Sequence, residues 1–150
     1  MIKGVVVKKI KKNADKRGWL AEFYRSDEID FKPAMCYVSL TEPDVVRGPH
    51  EHVHQSDFFV FVGPGSFELH LWDRRLKSET EGEYMMLEVG ENEPTMVIVP
   101  PGVVHGYKNV STSIAWCINM PDELYKGKHK EDEVDEIRWE EDSLAPFKII

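Results

Sequence analysis

The stretch from Phe58 to Trp72 limits the possible folds most sharply. Two apolar runs, Phe58–Val62 and Phe67–Trp72, flank Gly63-Pro64-Gly65, and a short Gly/Pro link between apolar runs is a hairpin signal. In the second run Phe67, Leu69 and Leu71 alternate with Glu68, His70 and Trp72, the period of a strand with one buried face. Gly4–Ile10, Trp19–Tyr24, Met35–Leu40, Tyr84–Val89, Thr95–Val99 and Ile114–Met120 read as further short strands. Turn residues separate them at Gly82, Glu91-Asn92-Glu93-Pro94 and Pro100-Pro101-Gly102. Short strands at close spacing predict an all-β sandwich or barrel, and 150 residues suit one domain, 1–150, with a full core. Helical patterning is weak and confined to Asp122–Trp139. Leu144–Ile150 reads as an added strand or a segment packed across a partner.

Two segments within this pattern carry chemistry. Arg47-Gly48-Pro49-His50-Glu51-His52-Val53-His54-Gln55-Ser56-Asp57 and Pro100-Pro101-Gly102-Val103-Val104-His105-Gly106-Tyr107-Lys108-Asn109 hold four of the six histidines. Alternate strand residues share a face, so His50, His52 and His54 are expected to project together, with His105 delivered by a Pro-Gly turn. His50, His52, Asp57 and His105 offer three nitrogens and one oxygen, a set that suits zinc, iron, manganese or nickel. Asp57 also reads as a proton acceptor or a turn residue, and His54 as a rim residue. Tyr37 has the ordinary alternative of a core aromatic, and Trp139 reads as packing. His70 with Glu68 reads as an exposed polar face, and Arg74 and Arg75 as surface charge.

Composition narrows the partners. A net charge of −8 leaves no broad basic surface for nucleic acid, so an anionic ligand must be held by locally placed arginines. Lys8, Lys9, Lys11 and Lys12 read as a solvated strand end. No apolar run approaches the ~18 residues of a membrane span, and Met1-Ile2-Lys3-Gly4 does not begin a signal peptide. Cys36 and Cys117 read as buried free thiols in a reducing compartment, and a cytoplasmic location is the default expectation.

The second histidine segment matches the cupin pattern Pro-x-Gly-x2-His-x3-Asn, and the first gives His-x-His followed by Asp57 where cupins usually carry glutamate. A more specific resemblance spans Asp15 to Asp142. Asp15-Lys16-Arg17-Gly18-Trp19-Leu20-Ala21-Glu22, Arg47-Gly48-Pro49-His50, Trp72-Asp73-Arg74-Arg75, Pro101–Tyr107 and Ile137-Arg138-Trp139-Glu140 resemble, in order, five motifs of the dTDP-4-dehydrorhamnose 3,5-epimerase family. The resemblance implies a cupin-type double-sheet jelly roll with a short C-terminal helical segment. It also implies a homodimer without a cofactor, acting on a dTDP-linked 4-keto-6-deoxy sugar in surface polysaccharide synthesis. It makes His50 the base next to the ketone, places Arg17 and Arg47 on the diphosphate and Glu22 at the thymine, and lines the sugar pocket with His105.

That family adds a lysine, a proton-returning tyrosine and a later orienting aspartate. Here no lysine lies between Lys32 and Lys77, and the tyrosine position holds His129 or Lys128. His50-Glu51-His52 is also similar to the paired histidines of the dTDP-sugar ketoisomerases, with Tyr37 at a comparable upstream strand position, so His50, His52, Tyr37 and Asp57 form the catalytic set. The alternatives are a non-catalytic sugar-nucleotide binder and a metal-dependent cupin enzyme using His50, His52, Asp57 and His105.

Overall fold

The computed structural model describes residues 1–150 and contains twelve strands: β1 (Val6–Lys9), β2 (Lys12–Asp15), β3 (Gly18–Ala21), β4 (Tyr37–Thr41), β5 (Val46–Glu51), β6 (Asp57–Phe61), β7 (Ser66–Asp73), β8 (Tyr84–Gly90), β9 (Thr95–Val99), β10 (Val103–Asn109), β11 (Ala115–Asn119) and β12 (Ile137–Arg138). Ten of them make two five-stranded antiparallel sheets, ordered β1-β9-β6-β11-β4 and β12-β5-β10-β7-β8, while β2 and β3 pair as a separate hairpin. Two facing sheets with long crossovers form a jelly roll.

The core lies between the sheets. Phe59, Phe61, Phe67, Leu69, Leu71, Val97, Val99, Val103 and Cys117 are buried in one cluster, supplied by the inward-facing alternate residues expected of half-buried strands. Strand β6 is covered on both faces, which is why its sequence runs apolar without alternation. Its outward Phe58 is fully buried and meets Tyr24 and Phe31 edge-on, at centroid distances of 5.9 and 5.4 Å. Burying one such ring contributes about 1.5–3 kcal/mol.

The outer face of the second sheet is covered by the chain's own C-terminal segment. Ala145 is buried, and Phe147 packs on Trp72 and Trp139 at 5.6 and 5.2 Å. Leu144–Ile150 therefore forms no strand, and its Ala145 and Phe147 pack on the chain's own second sheet. Trp139 packs as expected, under the Arg74 guanidinium at 5.1 Å.

Four expectations need correction. Arg74 is no idle surface charge, because its Nη1 donates to the buried Glu51 carboxylate at 2.7 Å. Arg75 likewise pairs with buried Asp73 at 2.8 Å. His70 is buried, its Nδ1 2.8 Å from the Tyr84 hydroxyl and its ring stacked near Trp72. Cys36 is exposed, whereas Cys117 is buried.

The helical reading of Asp122–Trp139 also fails, since only short 3-10 turns form, at Lys128–Lys130 and Trp139–Glu141. Lys126, Gly127, His129 and Lys130 all have positive φ, which a right-handed helix cannot use. No helix is long and apolar enough to cross a membrane.

Candidate functional site

Strands from both sheets bring the histidines to one point. His50 on β5 and His105 on β10 are register partners in one sheet, and Asp57 opens β6 in the opposing sheet. Within β5 the Arg47-Gly48-Pro49-His50 stretch carries an irregularity in its register with β10, where Gly48 sits at φ +80°. A Cβ there would lie 2.8 Å from the His105 carbonyl oxygen and 3.1 Å from His50 Nδ1, so only glycine lets the two strands approach.

His50, His52 and His105 pack as a triangle of imidazoles, with centroids 5.4 Å (50–52), 4.6 Å (50–105) and 5.8 Å (52–105) apart. The Asp57 carboxylate reaches in beneath them, with Oδ2 3.1 Å from His52 Nε2 and 3.0 Å from His105 Nε2. Its Oδ1 accepts hydrogen bonds from the Asn119 and Gln55 side-chain amides at 2.7 and 2.9 Å. Asn119 in turn accepts the Phe58 N–H at 3.1 Å, so the carboxylate is anchored to the backbone of its own sheet.

Ring orientation follows from the carbonyls. His105 Nδ1 lies 3.0 Å from Val103 O, and His52 Nδ1 contacts the Asp135 carbonyl. A carbonyl only accepts, so both Nδ1 atoms carry protons and both Nε2 atoms face Asp57.

Charge is distributed unevenly over the cluster. Burial, then the neighbouring His105 and His52 charges, hold His50 down to about 2, so it is neutral at pH 7. For His52 burial opposes the charge, but the Asp57 carboxylate overrides it and pushes the ring up to about 9. Asp57 stays ionised well below the usual carboxylate range, because its two imidazole partners outweigh its burial.

His50, His52 and Gln55 line a cavity of about 750 Å³ that also receives Tyr37, Arg47, His54, Tyr125 and Glu136, a size suited to a small molecule. Asp57 and His105 are buried and are not among its lining residues, so His105 does not face the pocket as expected. Tyr37 stands on β4, in the sheet opposite His50. Its hydroxyl is 3.0 Å from Asn119 Nδ2, and burial pushes its pKa up to about 12. Arg47 donates to Thr41 Oγ1 at 2.9 Å and Leu40 O at 2.6 Å, which fixes its plane and leaves other N–H donors for a ligand.

β5 stops at Glu51; His52, one residue on, still faces the cluster, but at His54 the chain has entered the turn closed by the Asp135 carboxylate and the alternation with His50 is lost. His54 lines the cavity without joining the cluster. Arg17 and Glu22 are not among the cavity-lining residues. Arg17 sits at the turn of the exposed β2–β3 hairpin, paired with Asp15 at 2.5 Å, and Glu22 faces Arg25 at 3.4 Å.

The site also contains residues that sequence reasoning did not single out. Gln55, Asn119, Asp135 and Glu136 all touch the cluster, and the one local hint was that Asp135-Glu136 directly precedes the Ile-x-Trp motif.

The four candidate ligand atoms of His50, His52, Asp57 and His105 lie within 4.8 Å of one another, compatible with one ion. Asp57 Oδ2 and His105 Nε2 are buried, and neither has a partner in hydrogen-bond geometry.

An antiparallel jelly roll with interior histidines converging on one open cavity is a cupin. A sequence profile described as dTDP-4-dehydrorhamnose 3,5-epimerase matches residues 1–145, and this chain belongs to that family. It is 36% identical over 135 residues to the probable low-salt glycan biosynthesis epimerase Agl13 of Haloferax volcanii, covering 88% of this chain and 86% of that one. It is 34% identical over 133 residues to the spore coat polysaccharide biosynthesis protein SpsL of Bacillus subtilis, covering 82% and 87%. A crystal structure of a dTDP sugar isomerase from Desulfovibrio desulfuricans superposes with a TM-score of 0.84 at 22% identity, covering 98% of this chain and 91% of that one. At that identity the likeness establishes a shared fold.

Proposed function

We propose that this protein epimerises a dTDP-linked 4-keto-6-deoxy sugar in polysaccharide synthesis. The observation that carries the reading is the placement of His50 and Tyr37 on opposed sheets, both lining one cavity. A base on one wall and a hydroxyl donor on the other can remove a proton from one face of a carbon and return one to the opposite face, which inverts the centre. Two histidines on one wall, by contrast, would serve a same-face shuttle.

In this mechanism neutral His50 takes the proton α to the ketone, and the enolate forms next to the His52 imidazolium. The chain lacks the family's lysine, and the charge of His52, held by Asp57, occupies that electrostatic place. Tyr37, protonated at neutral pH, returns the proton. Arg47 grips the diphosphate as a planar fork, and His105 and Asp57 brace the sugar pocket. Arg17 and Glu22 reach a nucleotide only if a second copy brings its β2–β3 hairpin to the cavity, so the reading includes a homodimer. The exposure of Trp19 and Leu20 on that hairpin, 52% and 63%, supports the pairing.

Incubation with dTDP-4-keto-6-deoxyglucose, followed by NMR of the product, tests the reaction type. Inversion at C3 or C5 with the carbonyl still at C4 is expected, and Tyr37→Phe should slow it. Migration of the carbonyl to C3 would replace epimerisation with ketoisomerisation.

One observation favours a second reading. Asp57 Oδ2 and His105 Nε2 stand 3.0 Å apart but outside hydrogen-bond geometry; a divalent ion that His50 and His52 also ligate would satisfy both, and such an ion would supply Lewis-acid polarisation of the keto oxygen. Elemental analysis separates the two: the proton-transfer reading expects full activity after chelation, whereas stoichiometric metal lost with His52→Ala would make His50 a ligand instead of a base.

A further inference from the structure

A short segment late in the chain touches both His50 and His52, and neither contact is visible from local sequence. Asp135 uses its side chain and its backbone together. The carboxylate accepts the N–H groups of Val53, His54 and Gln55 at 3.0, 2.8 and 2.9 Å, closing the turn that follows β5. Its carbonyl meets His52 Nδ1. Glu136 places Oε1 3.6 Å from His50 Nδ1 and is steered by Arg138, whose Nε and Nη2 approach Oε2 at 3.0 and 2.8 Å.

The residues that follow hold this pair in place. Ile137 and Arg138 pair with Glu51 and His50 as an added edge strand. Trp139 then lies under Arg74, which is bound to the buried Glu51. The segment is thus fixed at both ends of its contact with β5.

We propose that Asp135 and Glu136 are positioning residues, Asp135 orienting the His52 ring and Glu136 setting the proton location on His50. Asp135 fixes His52 with Nδ1–H toward its carbonyl and Nε2 toward Asp57. Glu136 draws the His50 proton to Nδ1, which leaves the Nε2 lone pair as the base. A distance of 3.6 Å is long for a hydrogen bond, but such contacts tighten when substrate closes the site. The consequence for rate rests on the proton-transfer reading above, whereas the consequence for the rings does not.

The test is long-range 1H–15N NMR of histidine-labelled protein, run on wild type, Asp135→Asn, Glu136→Gln and Glu136→Asp without substrate. Wild type is expected to show a single Nδ1-protonated tautomer at His50 and a doubly protonated ring at His52. An amide can donate as well as accept, so Glu136→Gln should give a mixture at His50, and Glu136→Asp should restore part of the single-tautomer signal. Asp135→Asn should broaden or shift His52 alone. The Glu136 carboxylate meets only side chains, so Glu136→Gln keeps the fold and the proposal testable even if Asp135→Asn does not fold.

In turnover with the keto sugar, Glu136→Gln should lower kcat about tenfold or more with KM within about twofold. Unchanged His50 signals in Glu136→Gln, or a KM effect with kcat intact, would overturn the assignment. Altered tautomers in a protein whose wild type shows no turnover would support the positioning while sinking the catalytic reading.

Discussion

Replacing Asp57 by Asn removes the one negative charge set against His52 and His105 while keeping the side chain's size. The Asn oxygen can still accept from Asn119 and Gln55, so the loss is electrostatic. In the unfolded chain His52 titrates near 6.5, and in the fold it is raised to about 9 against the effect of burial, by Asp57 foremost, with the Asp135 carbonyl and Glu136 behind it. That interval corresponds to about 3 kcal/mol, since each tenfold is about 1.4 kcal/mol. It agrees with the ~3–5 kcal/mol lost when one partner of a buried pair is removed.

A folded-state value raised above the unfolded one gives stability that is complete below pH ~6.5 and lost as pH rises through ~9. Urea denaturation of both proteins at pH 6 and pH 10 measures it. The wild type should exceed Asp57→Asn by about 3 kcal/mol at pH 6, with similar m-values, and the gap should close at pH 10. A gap of equal size at both pH values, or none at pH 6, would refute the pairing.

Other outcomes follow from the same geometry. Saturating dTDP at ~100 times its dissociation constant should stabilise the protein by about 2.7 kcal/mol in a melting experiment, and Arg47→Ala should remove most of that shift; no shift at millimolar dTDP would count against nucleotide binding. Gly48→Ala, whose Cβ would sit 2.8 Å from the His105 carbonyl oxygen, should abolish turnover and lower the melting temperature. In the native protein a thiol reagent should modify Cys36 rapidly and Cys117 only on unfolding, and two fast thiols would contradict the burial of Cys117.

The strands were legible because their signals are local. The Phe67–Trp72 alternation and the Gly63-Pro64-Gly65 turn identify their hairpin, and the spacing of His50, His52 and His105 is visible wherever strand period is known. His54 shows the limit of that rule, since alternation holds only while the strand continues.

What escaped is long-range. β12 has two residues and no pattern of its own, and its pairing with β5 joins residues more than eighty positions apart. Asp135 and Glu136 therefore fell within the weak helical patterning of Asp122–Trp139 and were not singled out. Positive φ at Lys126, Gly127, His129 and Lys130 leaves no composition signal strong enough to override weak helical patterning. The partners of Arg74 and Arg75 were hidden for the same reason, because a buried acid on a neighbouring strand cannot be read from the arginine's own surroundings. Arg17 and Glu22 were named from a motif, and the single chain holds them outside the cavity.

The central claim is that His50 removes the proton next to the ketone. Incubating the protein in heavy water with dTDP-4-keto-6-deoxyglucose and following deuterium incorporation by NMR and mass spectrometry tests it most directly. The account predicts deuterium at the carbon next to C4 in wild type. It also predicts that His50→Asn loses this exchange about 10²–10⁴-fold, the usual contribution of a general base, while still binding dTDP. Absence of exchange in wild type, or undiminished exchange in His50→Asn, would contradict it.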